Sequence, residues 1–281
     1  MMRKIVWPAL ILLAAASAAR AGAPGYKDEV RKWREARETR LKGPDGWLTV
    51  AGLFWLREGD NRFGSAPDND IVLPPSAPAH AGTFRRKGDA VTALLEDGSS
   101  VAMETDKTRI TLGPLTLLVH ASGSRLGIRL KDPDSALRKS FRGLKWFAVD
   151  PKWRITAKWV PYDPPKTAQV ENVLGDIARE KVPGYAELSL EGKTYRLEPE
   201  QDEDGSLEFV FRDGTSGRET YGAARFVDTA PPKDGTVVLD FNEAYNPPCA
   251  YNRYTTCPLP PPGNRMSARI PAGEKAYKGA H

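Results

Sequence analysis

The segment DFNEAYNPPCAYNRYTTCPLPPPGNR, Asp240 to Arg265, concentrates side chains able to bind or transform a polar molecule. In the strand-like run TVVLDF, Val237, Leu239 and Phe241 fall on one side, so Asp240 and Asn242 alternate onto the other. Tyr245, Asn246, Tyr251 and Arg265 add a hydroxyl, an amide, a second hydroxyl and a guanidinium. Just upstream, RETYGAARF places Tyr221 and Arg225 on one strand face, and Glu274 and Glu243 supply further acids. Aromatic, amide and guanidinium groups suit stacking on, and hydrogen bonding to, a sugar-like or other small polar ring. The expected ligand-binding set is therefore Tyr221, Arg225, Asp240, Asn242, Tyr245, Asn246, Tyr251, Arg265 and Glu274. An Arg225–Asp240 pair is expected, as a structural salt bridge or as part of a site. If Asp240, Tyr245, Arg225 and Glu274 converge on one concavity, binding or catalysis follows; if they pair off in the core, the segment is structural.

The same segment is stiff. Pro247, Pro248, Pro258, Pro260, Pro261 and Pro262 restrict the backbone and withdraw amide donors, which keeps it out of a sheet centre. Cys249 and Cys257 flank seven residues. In an oxidising compartment they are expected to form a disulfide; a reactive thiol and a pair of inert buried thiols are the other readings. A rigid segment can be the rim of a ligand site, or a strap closing a β core, with Asn246 and Asn264 bonding stray backbone groups.

Several chemistries lack their residues. There is no G-x-S-x-G, H-E-x-x-H, P-loop or G-x-G-x-x-G pattern. The histidines are His80, His120 and His281. A zinc site from Cys249, Cys257, His80 and His120 has none of the paired spacings of structural zinc, so no metal or cofactor is expected.

The chain opens MMRKIVWPALILLAAASAARAG, with a basic head, an apolar run over Ile5–Ala16 and small residues around Arg20. This reads as a signal peptide, residues 1–21, with export to the periplasm or exterior; an uncleaved anchor is the alternative. Removing those residues leaves 38 basic against 36 acidic side chains, so the net charge of +5 falls to +2. With no cluster of Lys and Arg among aromatics, nucleic acid is not an expected partner, and no membrane span is expected after processing.

The elements that must hold these groups are mainly strands. Tyr26 to Gly43 reads as an amphipathic helix with Tyr26, Val30, Trp33 and Leu41 on a narrow face, within an N-terminal region 22–45. A β region over 46–134 follows, with a turn at Gly59–Asn61 and a strand pair about Gly113–Pro114. A second, over 135–281, includes the alternating strand WRITAKWV and a hairpin turning at Glu191–Lys193. Another helix candidate falls on Asn172–Glu180. The fold class is mainly β, an antiparallel sandwich or barrel with an N-terminal amphipathic helix, in one continuous domain or two.

Arg62 to Phe84 resembles the opening of a forkhead-associated domain. Ser65 stands where that family has its phosphate-gripping arginine, so the resemblance implies a strand–turn–strand and not phosphothreonine binding. DGWLTVAGLFWLREGDNRFGS, FRDGTSGRETYGAARF and the Asp240–Arg265 segment together resemble an uncharacterised bacterial family, domain of unknown function 1684, over nearly all the mature chain. That resemblance implies a common fold and carries no activity. The expected function is a small-molecule- or saccharide-binding β protein. A metal-independent hydrolase using C-terminal acids and a structural envelope domain are the alternatives.

Overall fold

The computed structural model describes residues 25–279, so the expected signal peptide lies outside the described residues. The first helix, α1 (Tyr26–Lys42), has Asp28 and Glu29 in its first turn and Arg40 and Lys42 in its last, matching the helix dipole at both ends. Gly43 closes it, its amide donating to the Arg40 carbonyl. Tyr26, Val30 and Leu41 are buried. The apolar face looked narrow because Arg34 and Arg37 occupy the same stripe, and both reach into the body of the protein.

The first β region runs Val50–Trp55 (β1), Gly59–Gly64 (β2), Ile71–Val72 (β3), Gly82–Lys87 (β4), Ala90–Leu95 (β5), Ser100–Ala102 (β6), Arg109–Leu112 (β7), Leu115–Ser122 (β8) and Arg125–Lys131 (β9). These form two sheets, ordered β1-β9-β8-β7 and β3-β2-β4-β5-β6, antiparallel except for the β2–β3 pair. Their inner faces share one core containing the stacked rings of Phe63 and Phe84, with Leu117, Val119, Ile128 and Leu130. Gly59–Asn61, expected as a turn, begins β2 instead. The buried Asn61 amide bridges Arg57 and Gly59, so the reversal lies just before the strand. Arg62 donates to the Asp68 carbonyl, and Arg62 to Phe84 holds the end of β2, the short β3 and the start of β4.

A short helix, α2 (Ala136–Ser140), leads to the second region. It contains Arg154–Glu171 (β10), Ile177–Leu190 (β11), Lys193–Leu197 (β12), Glu200–Gln201 (β13), Leu207–Phe211 (β14), Arg225–Thr229 (β15) and Thr236–Asp240 (β16). Sheets β12-β11-β10-β16 and β13-β14-β15 enclose a second core. Phe209, Phe211 and Phe241 are wholly buried there, each worth roughly 2–3 kcal/mol of transfer energy. The protein is thus mainly β, with open antiparallel sheets stacked in pairs and no closed barrel among the described residues.

Asn172–Glu180 is not a helix. It is the tip of the long β10–β11 hairpin, with the Asn172 side chain accepting from the amides of Leu174 and Asp176. The tip docks on the β8–β9 turn of the other region: Asp176 accepts from Ser122 at 2.7 Å and from Arg125 at 3.0 Å. Among the described residues no helix is long and apolar enough to cross a membrane.

Candidate binding cleft

Strand alternation sends Leu117, Val119, Ile128 and Leu130 inward, and so turns His120 on β8 and Arg129 on β9 to the opposite face. Glu208 on β14 and Phe226 on β15 line the same concavity, with Tyr251 and Thr255–Pro258 of the Pro-rich strap. Leu41, Arg37 and Trp47 close one end. The result is an open cleft of about 520 Å³, within the range of small-molecule sites. Its polar lining is Arg37, Asp106, His120, Arg129, Glu208, Tyr245 and the two threonines Thr255 and Thr256.

Three chain segments meet at His120. Its Nδ1 lies 3.3 Å from Asp106 Oδ2, and its Nε2 lies 2.8 Å from Thr256 Oγ1. In the neutral imidazole that this arrangement favours, Nδ1–H donates to the carboxylate and Nε2 accepts a hydrogen bond from the threonine hydroxyl. Arg129 sits beside this set with only 6% of its surface exposed. Among the described residues its guanidinium makes no hydrogen bond: Nε is unpartnered, Asp106 is a loose ion-pair partner at 3.7 Å, and the Trp47 ring lies 5.1 Å away. Burial pulls Arg129 below the usual arginine range, with Asp106 opposing.

Glu208 forms the other wall. Burial, with Asp228 and Glu200 nearby, pushes its carboxyl up to about 8. The Tyr245 hydroxyl donates to Asp228 at 2.9 Å and to Glu208 at 3.2 Å, and the Arg37 guanidinium lies 4.0 Å over the Tyr245 ring. Burial and the two acids raise the Tyr245 phenol far above its ordinary value, so it stays a donor.

Most of the sequence-predicted residues lie elsewhere. Asp240 is covered by α1: it accepts from Tyr26 at 2.8 Å and from Arg154 at 3.2 Å. Asn242 joins it, donating to Tyr26 at 3.0 Å and to the Asp150 carbonyl at 2.9 Å. Arg225 does not pair with Asp240. It is wholly buried, 3.1 Å from Asp213, and donates to the carbonyls of Ile270 and Ala272. Asp213 lies in the β14–β15 loop beneath Arg225, whereas Asp240 ends β16 on the outer face that α1 covers. Glu274 is also sealed. It is hydrogen-bonded to Tyr251 and Asn246 and lies 3.3 Å from Arg37, while burial raises its carboxyl above the usual range. Tyr221 donates to the Cys249 carbonyl at 3.3 Å, and Arg265 is exposed, held to the Pro260 carbonyl. Of the two outcomes open to Asp240, Arg225, Tyr245 and Glu274, they pair off and do not converge: of the four only Tyr245 faces the cleft, joined there by Tyr251 and Cys257.

The strap reading describes most of the Pro-rich segment. The Asn252 amide donates to the Trp47 carbonyl at 3.2 Å and to Val50, tying it to the first region. Asn264 ties it to Glu198 and Val210, each at 2.8 Å. Cys249 and Cys257 are free thiols that face each other, the Cys249 amide 3.1 Å from the Cys257 sulfur. Hydrogen bonding to Cys257 lowers Cys249, while the same bond and burial raise Cys257.

Sequence reasoning weighed His120 only as a zinc ligand and missed Asp106, Arg129, Thr256, Glu208 and Arg37. The period-2 pattern of β8 and β9 carried one usable signal, since it puts His120 and Arg129 on the face away from the Leu/Val/Ile stripe.

Fold and cleft together define an open, two-core β protein with a polar concavity between its halves. Residues 139–275 match the family described as "Protein of unknown function (DUF1684)". An uncharacterised protein of Haloarcula marismortui, solved by solution NMR, is 32% identical; the alignment covers 49% of this chain and 78% of that one, with a TM-score of 0.42. The chain belongs to the DUF1684 family. No curated protein matches it. The matched stretch contains Glu208, Tyr245 and Thr256 but not Asp106, His120 or Arg129, so the cleft straddles its edge.

Proposed function

We propose that this is an exported small-molecule-binding protein, periplasmic or secreted, whose cleft takes a polar, saccharide-sized ligand bearing an anionic group. The observation that carries this reading is Arg129. A buried guanidinium that finds no hydrogen-bond acceptor among the described residues is costly unless something supplies acceptors. It lines a concavity of ligand size, and a carboxylate can meet its planar fork in a bidentate pair. Trp47, an exposed aromatic at the cleft mouth, offers apolar surface for the rest of the ligand.

Export is supported by the opening residues. An oxidising compartment would let Cys249 and Cys257 close the strap covalently, which contributes about 2.5 kcal/mol in the chain-entropy treatment. The linkage would hold Thr255 and Thr256 at the cleft floor.

The test is calorimetric titration of the mature chain with glucuronate, succinate and glucose. The acids should bind and glucose should bind less well, and Arg129→Gln should weaken the acids at least about tenfold, the loss of a charged pair. Equal affinity of Arg129→Gln and the wild type for the acids would overturn the reading; circular dichroism confirms that the variant is folded.

A further inference from the structure

We propose that Thr256, His120 and Asp106 act as nucleophile, general base and orienting carboxylate for hydrolysis of a carboxylate-bearing ester in the cleft. The proposal rests on the binding reading, since Arg129 would hold the substrate's free acid.

Three features carry it. The first is contact: the threonine hydroxyl is 2.8 Å from His120 Nε2, inside the reach required of a nucleophile and its base. The second is direction. Asp106 on the far ring nitrogen sets the tautomer that leaves Nε2 free to accept a proton, the logic shared by nucleophile–base–carboxylate sites on unrelated folds. The third is place. His120 is on β8, Asp106 in the β6–β7 loop and Thr256 on the strap, so three independently anchored segments bring the set to the wall of a ligand-sized concavity. The His120 side chain is 12% exposed, and both it and Thr256 line the cleft.

In the first step the Thr256 oxygen forms a bond to the ester carbonyl carbon and its proton passes to His120 Nε2. The ester C–O bond breaks, and the departing alkoxide takes that proton and leaves as an alcohol. Water then attacks the acyl-threonine carbonyl, giving its proton to His120. The threonine oxygen leaves and recovers the proton from His120, and the free acid departs. No oxidant, reductant or metal enters the balance.

The experiment uses the mature chain and mono-4-nitrophenyl succinate, an ester with one free carboxylate. Saturable nitrophenolate release is expected, with a succinyl adduct on the peptide containing Thr256. Thr256→Ala and His120→Gln should each lower kcat at least about 100-fold, the usual scale for nucleophile or base removal, and Thr256→Ser should restore turnover. A hydroxyl that only tethers the strap to β8 would shift thermal stability in Thr256→Ala and leave kcat in place. Succinate binding, read by calorimetry, separates the two readings. Unchanged turnover in Thr256→Ala, or no turnover and no adduct in a wild type that binds succinate, would overturn the catalytic proposal alone. Failure of succinate to bind, with Arg129→Gln no different from wild type, would remove the cleft reading and this proposal with it.

Discussion

Replacing Glu208 by glutamine tests whether the cleft wall stores electrostatic strain. Glu208 lies between Glu200 and Asp228 in cross-strand register on β13, β14 and β15, so three carboxylates stand side by side. Like charges directly opposed on a sheet repel. Burial acts first, and the neighbouring acids add to it, so the Glu208 carboxyl rises from 4.5 to about 8. Glu200 follows to about 7, again chiefly through burial. The sign follows from proton counting. Between those values the folded chain keeps a proton that the unfolded chain has released, so stability falls as pH rises. At about 1.4 kcal/mol per decade the ceiling for Glu208 is about 5 kcal/mol. The side chain still reaches cleft water, which screens it, and about 2 kcal/mol is the expected loss from about pH 5 to about pH 9. Glutamine keeps the shape and the bond from Tyr245 but neither titrates nor repels. Urea unfolding followed by tryptophan fluorescence at each pH measures the difference. Glu208→Gln should be flatter than wild type by about 2 kcal/mol over that range. Parallel curves would refute the reasoning.

Arg37→Met leaves Glu274 buried without its charge partner and should cost about 3–5 kcal/mol; adding Glu274→Gln should return much of that, measured by the same unfolding. Gly273 has φ +77°, and a Cβ there would lie 2.3 Å from the Ala244 carbonyl oxygen, so Gly273→Ala should displace Glu274 and lower the thermal midpoint by several degrees. Protein exported by its host should resist alkylation at Cys249 and Cys257 until a reductant is added, read by mass spectrometry; immediate alkylation of both native thiols would refute the linkage.

Local pattern in the amino-acid sequence determined the helix at Tyr26, the hairpin at Glu191–Gly192 and the strand face of Val237, because each rests on periodicity or turn chemistry within a dozen residues. The same locality set the stiffness of the 247–262 strap. Tertiary structure alone decided what covers each open strand face. Asp240 sits on the face away from its own core, as its alternation requires, but α1 from the other end of the chain lies over it. Arg225 found Asp213 and not Asp240, because the β14–β15 loop places Asp213 in the same buried pocket while Asp240 faces α1. Apart from Tyr245 and Tyr251 the cleft escaped: Asp106 and His120 meet through the β6–β7 loop and β8, and only packing the second β region against the first brings Thr256 to them.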